Sequence, residues 1–574
     1  MQKLVFLALL LVKVPSQLSA QTSYPQNDFR SPIDTTLTLA GNFGEIRPNH
    51  FHAGFDIKTN NHEGMPIYAV ADGYVSRIKI SAFGYGKAIY ITHPNGYTSV
   101  YGHLRSFDSD IQTFTSKIQY LEESYEIDTL LSPSILPVKK GELIGLSGNT
   151  GGSQGPHLHF EIRDSKTETP INPYLFGYLI PDTVKPRITQ IAVYPINENA
   201  SINGKNTSKK IAPIYKKGNY NLLKQDTLLV NGEIGFGIEC YDTETKSLNK
   251  NAVYSIELQS GGKRIYYYEM EKFSFENARY VNAHIDYESK QNHGTKIQKC
   301  FVSKNNKLGI YKDAVNDGAL DFKDDSVHWI RFIVKDYVGN STELMLKVKS
   351  SSKSIPNKTR KLENEIFDCL KENKFTTNDI KITIPAEAMY DDIAFTYSKP
   401  GSVPGTFSPL HKILNVDVAL QKNISISIKP VNLPDSLQSK ACIISVNDKG
   451  GKSYEGGTFE DGWVTTLTKE FGNYAVGIDT IAPKLKTSFK LIKDQTPDLS
   501  KAKKIGIIAS DNLSGIRKYR ATIDGKWVLV EYEFKQNLLF YTFDDKITPG
   551  LHQFRIDVTD DKENKSTLTF IFKK

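Results

Sequence analysis

The chain has 574 residues, 39% of them hydrophobic and 24% charged, the composition of ordinary folded protein, and its length calls for several modules. Its formal net charge of +8 is spread over the whole length without a dense lysine or arginine block, which argues against a nucleic-acid partner. Thirty tyrosines and 29 phenylalanines favour strands over helices.

The N-terminus carries Met1-Gln2-Lys3, then the wholly apolar run Leu4 to Val12, then Leu18-Ser19-Ala20 before a polar stretch. That order predicts a secretory signal peptide over residues 1–20, cleaved after Ala20. The run is too short to cross a bilayer and no later stretch is apolar enough, so no membrane span is expected. The four cysteines, Cys240, Cys300, Cys369 and Cys442, lack CxxC spacing, which speaks against a thiolate zinc site. A Cys240–Cys300 bridge and buried free thiols both stay open.

Leu37 to Gly44 reads as a strand and turn. His52 and Asp56 follow in H-x-x-x-D spacing with Gly54 between them, and an imidazole nitrogen with a carboxylate oxygen suits zinc. His50 competes for the same role by chemistry alone. Pro66–Val70 and Tyr74–Ile78 flank Ala71-Asp72-Gly73 and predict a hairpin with an Asp-Gly turn. A second hairpin joins Lys87–His93 to Tyr97–Leu104, leaving His93 as a surface turn residue and His103 at a strand end. From Asp108 onward, Ile111, Phe114, Ile118 and Leu121 recur at three- and four-residue steps and predict an amphipathic helix packed on the sheet. The glycine-rich stretch Gly148–Gly155 predicts a sharply bent loop. Beyond it, His157, His159 and Glu161 alternate with Leu158, Phe160 and Ile162, the period of a half-buried strand. The two imidazoles then project together, placed to share a metal or to divide ligand and base roles.

The order H-x-x-x-D, G-H-L and G-x-x-I-G-x-x-G-x-T-G-x-S-x-G-P-H-L-H-F-E resembles the lysostaphin/LytM type of zinc metallopeptidase over about residues 37–165. Members of that family cleave peptide cross-bridges of peptidoglycan. The resemblance implies that His52, Asp56 and His159 bind one zinc ion and that His157 and His103 are the catalytic imidazoles. Three protein ligands leave a fourth position open for water, as a catalytic zinc needs, and either imidazole can serve as the base. It implies an exported endopeptidase of the periplasm or cell envelope, acting on peptidoglycan stems or cross-bridges. Some relatives have lost zinc ligands and activate other wall hydrolases; this chain keeps all three ligand positions and both histidines. The 105–137 insertion is longer than the link many members carry and bears on access to the groove.

Past residue 180, Asp182-Thr183-Val184-Lys185-Pro186 recurs as Asp479-Thr480-Ile481-Ala482-Pro483. His328, Ile330, Phe332, Val334, Asp336 and Asn340 align without gaps to His552, Phe554, Ile556, Val558, Asp560 and Asn564. Phe236 to Asp242 echoes Ile505 to Asp511. This repetition predicts two related immunoglobulin-like β-sandwiches, over residues 181–352 and 481–574. Between them, 353–480 reads as a β-rich module of uncertain type that opens with a helical candidate, Lys361 to Lys371. The expected architecture is therefore mainly β: an antiparallel peptidase module over 21–180 followed by about three sandwiches. The tail is expected to space the enzyme, bind an envelope protein partner or recognise the envelope. His328 and His552 stand alone and are expected to be packing or surface residues.

Overall fold

The structure, a computed structural model, describes residues 24–178, 180–216, 218–222, 227–245, 247–352, 365–492 and 494–574. The expected signal peptide at 1–20 lies outside them. The chain is mainly β, and its longest described helix is Ser109–Glu122.

In the first module an antiparallel sheet runs Leu39–Gly41, Phe55–Lys58, His157–Asp164, Tyr97–Leu104, Lys87–Thr92, Gly73–Ile80, Ile127–Leu130. His157–Asp164 lies between two partners, so that His159 faces Asp56 on one side and Gly102 on the other. Leu158, Phe160 and Ile162 are buried in the core, as the alternation requires. The opposite face is not solvated as a half-buried strand would be: His159 and Glu161 are buried too, because Tyr85 and Arg163 close over them.

Gly54 shows how tightly the strands meet. A Cβ there would stand 2.1 Å from the Phe160 carbonyl oxygen and 2.8 Å from Glu161 Cγ. Gly54→Ala must therefore push the Phe55–Lys58 strand off its partner, at a cost of at least about 2 kcal/mol. A lowered melting temperature of the first module checks this; an unchanged one contradicts the close approach.

Four local expectations are corrected. Pro66–Tyr68 pairs with Leu143–Leu146 and not with Gly73–Ile80, so no hairpin forms around Asp72. The chain instead turns a corner between two sheets, held where the Lys140 N–H donates to Asp72 Oδ1 at 2.8 Å and the Val70 N–H to the Tyr101 hydroxyl at 3.0 Å. His93 is buried, with its ring bridging the Asp72 carbonyl at 2.9 Å and Ser99 Oγ at 2.8 Å. In the helix, capped by Asp108, Ile111 is buried and Phe114 and Ile118 pack on the core, but Leu121 is 78% exposed. Finally, of the helical candidate 361–371, residues 361–364 lie outside those described, and the rest is a strand, Ile366–Phe367, followed by a turn. Asp368 Oδ1 accepts the Leu370 N–H at 3.0 Å, and that side-chain turn competes with helix.

Beyond the first module, the long strand Leu228–Tyr241 organises an eleven-stranded sheet whose core is continuous with that of the first module. The region from Ile366 to Ile478 holds two five-stranded sheets around Phe367, Ile426, Ile443 and Val476. The last, from Lys484 to Lys573, holds two four-stranded sheets around Ile507, Leu539, Phe554 and Phe572. All four cysteines are free thiols, so the Cys240–Cys300 bridge is not formed. Among the described residues no helix is long and apolar enough to cross a membrane.

Candidate functional site

His52, Asp56 and His159 come together on neighbouring strands and turns of the first module. His52 Nε2 lies 3.0 Å from His159 Nδ1 and 3.0 Å from Asp56 Oδ1, and His159 Nδ1 lies 2.9 Å from that same oxygen. The outer nitrogen of each ring is tied down. His52 Nδ1–H donates to the Asn42 carbonyl at 2.7 Å, and His159 Nε2–H donates to Glu161 Oε1 at 2.7 Å. Each ring thereby turns its other nitrogen inward, which is how histidine ligands are oriented around a metal.

The electrostatics follow from this crowding. Burial pushes His52 down to about 4, against the pull of Asp56. Burial also opposes a charge on His159, but Asp56 and Glu161 outweigh it and hold this imidazole up at about 9. Glu161 is fully buried, a penalty on its charge that Arg163 and His159 overcome, bringing it down to about 2. Asp56 stays well below the usual carboxylate range despite its burial, because three histidines surround it; Arg47 also bonds its second oxygen. While no ion is bound His159, held at about 9, keeps a proton among the three inward atoms, and a cation would take that proton's place. Two imidazole nitrogens and one carboxylate oxygen are the donor set of a catalytic zinc, and the residues present fit that ion.

His157 and His103 sit beside the cluster with ring centroids 4.8 Å apart. His157 Nδ1–H donates to the Gly155 carbonyl at 2.8 Å, and its Nε2 lies 3.3 Å from Asp56 Oδ1. His103 Nδ1–H donates to the Thr150 carbonyl at 2.8 Å. Burial, with His159 and His157 adding to it, holds His103 down at about 3, so its ring is neutral. His103 adopts φ 60°, a left-handed conformation uncommon for a residue with a Cβ and frequent at functional sites. His50, the competing candidate, is exposed, bonded to the Pro48 carbonyl at 2.8 Å and no part of the cluster.

Sequence reading gave no role to Glu161, Arg163, Tyr85, Asn42 or Arg47, which orient the cluster from behind. Glu161 was the accessible one, since H-x-H-x-E places it on the imidazole face. The others are brought in by the fold.

The five residues open on a groove of about 1170 Å³, whose far wall includes Phe275, Arg279 and Lys469 from later modules. The last module reaches the glycine-rich loop as well: Lys535 Nζ donates to the Ser153 carbonyl at 3.2 Å and also to that of Asn149. The 105–137 insertion packs against this module and away from the groove, with Tyr120 and Trp527 rings 5.0 Å apart and Arg520 paired to Glu123.

Residues 50–121 and 134–173 match the family described as Peptidase family M23, and the interruption falls inside the insertion. The N-terminal module is an M23-type domain. Over 152 residues the chain is 35% identical to an uncharacterized metalloprotease of Haemophilus influenzae, covering 26% of this chain and 24% of that protein. It is 34% identical over 122 residues to the DD-carboxypeptidase/endopeptidase Mpg of Neisseria meningitidis, covering 21% and 22%. It is 32% identical over 149 residues to the murein hydrolase activator NlpD of Salmonella typhimurium, covering 26% and 32%. The M23 domain therefore carries the likeness, and the chain spans no more than a third of any of these three relatives. Residues 364–479 match the family described as Zu5-like domain.

Proposed function

We propose that the chain is an exported zinc endopeptidase that hydrolyses peptide stems or cross-bridges of peptidoglycan, working in the periplasm or cell envelope. The single observation that carries this reading is the convergence of His52 Nε2, Asp56 Oδ1 and His159 Nδ1 within 3.0 Å of one another, with the outer nitrogen of each ring tied down, at the head of a groove. His52, Asp56 and His159 are the ligands. Zinc, when bound, supplies Lewis acidity, acidifying a water and polarising the scissile carbonyl.

The protein's own groups do the rest. His157, with its proton fixed on Nδ1, turns a free Nε2 to the cluster and takes a proton from the attacking water, returning it to the leaving amine. His103, also protonated on Nδ1 and neutral, presents an Nε2 that can only accept, so it orients the attacking water or shares the proton traffic with His157. Arg279 and Lys469 line the groove with positive charge suited to a peptide bearing carboxylates. The second and fourth modules are read as immunoglobulin-like sandwiches that space this domain or dock it in the envelope.

Glu161→Gln is expected to weaken zinc binding by about 10- to 100-fold, because it takes charge from His159 and leaves the buried Arg163 with only the exposed Glu168 as an ion-pair partner. Competition against a fluorescent zinc chelator reads this directly, and an unchanged affinity contradicts an orienting role.

The identity to NlpD favours a second reading, in which the M23 domain activates another wall hydrolase. Incubating the protein alone with purified cross-linked muropeptides separates the two. Cleavage that stops with a chelator and returns with zinc supports the enzyme. No cleavage alone, with stimulation of an added hydrolase, supports the activator.

A further inference from the structure

Three repeated motifs of the tail each contain an aspartate, and the fold brings those aspartates together twice. Asp182 and Asp479 open the D-T-V-K-P and D-T-I-A-P linkers, Asp242 and Asp511 follow the echoed strands, and Asp336 and Asp560 open the D-x-x-x-N turns. In the second module Asp182, Asp242 and Asp336 each offer a carboxylate oxygen within 4.8 Å of the others; in the last module Asp479, Asp511 and Asp560 do the same. The supporting frame is repeated as well. Asn340 Nδ2 donates to Asp336 Oδ2 at 2.7 Å and to the Asp182 carbonyl at 3.4 Å; Asn564 Nδ2 donates to Asp560 Oδ2 at 2.8 Å and to the Asp479 carbonyl at 3.0 Å.

Hydrogen bonds within each frame do not account for all of its oxygens. Asp242 is 5% exposed, yet its Oδ1 has no hydrogen-bond donor, in a small cavity that it lines with Asp182 and Asp336. At the second site Asp511 Oδ1 has no donor either. Nor has the hydroxyl of Ser514, a residue 9% exposed whose backbone N–H donates to Asp479 Oδ2 at 3.0 Å. Among the described residues no lysine or arginine forms an ion pair with any of the six aspartates, although Lys562 lies near enough to Asp479 to feel its charge. Burial together with Asp336 and Asp182 pushes Asp242 up to about 8, the mark of negative charge crowded without a counter-charge. A buried carboxylate oxygen without a donor is costly, and the arrangement occurs in two modules.

The donors are all oxygen, with neither imidazole nor thiol among them, which suits a hard cation and sets these sites apart from the histidine cluster. Calcium tolerates irregular geometry and takes about six to eight oxygen ligands, with water completing the set. We propose that each aspartate triad binds one calcium ion, which ties the linker entering its module to the strand and turn that meet it there. The first triad sits at the seam with the M23 domain: its cavity is also lined by Asn42 and Tyr174, and the Asn42 carbonyl is the one that holds His52. The second lies where the preceding module ends, the Asp479 N–H donating to the Lys440 carbonyl at 3.0 Å.

The test uses the full-length, zinc-loaded protein freed of other divalent ions. Isothermal titration with calcium is expected to show two equivalents, and calcium is expected to raise the melting temperature by several degrees. Asp242→Asn and Asp511→Asn should each lose one equivalent, and the double variant both. Without calcium Asp242→Asn should melt at or above the wild-type temperature, because it removes buried repulsion, and the melts of both variants show that they fold. Ser514→Ala, which alters no carboxylate, should weaken the second equivalent alone. Absence of any calcium-dependent shift, which protonation of Asp242 would explain, overturns the proposal. So does a shift that survives in the double variant, or an equal one given by magnesium at the same concentration.

Discussion

Replacing His159 with alanine is expected to abolish zinc retention and cleavage of wall peptides together. His159 is the hinge of the cluster: its Nδ1 faces both His52 and Asp56 while its Nε2–H is held by Glu161. Removing the ring deletes one ligand and takes a partner from each of two buried carboxylates, Asp56, which keeps Arg47 and His52, and Glu161, which keeps Arg163 and Tyr85. Two ligands do not hold a catalytic zinc, so loss of activity should exceed about 1000-fold by the arithmetic of losing at least 4 kcal/mol of transition-state stabilisation. Elemental analysis of the dialysed variant and a muropeptide assay read both effects. Zinc retained at wild-type stoichiometry contradicts the assignment of His159 as a ligand.

The second large effect separates ligand from base. His157→Ala removes a ring that contacts the cluster only through Asp56 Oδ1 at 3.3 Å and leaves the three inward donors in place. Zinc content should therefore stay at one per chain, while kcat falls by about 100- to 10,000-fold, the usual worth of a positioned acid–base group. KM should change little, since the rest of the groove lining, Phe275, Arg279 and Lys469 included, keeps its place. A variant that loses its zinc shows that His157 is a fourth ligand; one that keeps full kcat moves the proton transfer to His103.

Much of the site was legible because its residues sit in short local patterns. H-x-x-x-D, G-H-L and H-x-H-x-E each fix a spacing on a strand or turn, and the cross-strand register does the rest by setting His159 opposite Asp56. The helix over Ser109–Glu122 was legible for the same reason, a recurrence of apolar residues at three- and four-residue steps. What failed was long-range. Asp-Gly between two strand-like runs reads as a hairpin, but Pro66–Tyr68 finds its partner in Leu143–Leu146 far along the chain, and local turn chemistry carries no trace of that. His93 looked like a turn residue, yet Ser99 and the Asp72 carbonyl offered it two partners inside. The contact of Lys535 with the glycine-rich loop, nearly four hundred residues apart, is likewise a product of assembly and not of any motif.

The repeated motifs of the tail were visible as sequence echoes, but their convergence was not. That Asp182, Asp242 and Asp336 meet needs three strands and a linker folded together, and only then do the echoes read as one site built twice.

The most direct test of the central claim is to incubate zinc-loaded protein with purified sacculi and identify the released fragments by mass spectrometry. The account predicts new free amino and carboxyl ends at a peptide bond of the stem or cross-bridge, appearing with wild-type protein and absent with a chelator or with His157→Ala. Intact peptides after incubation with protein that demonstrably holds zinc would contradict it.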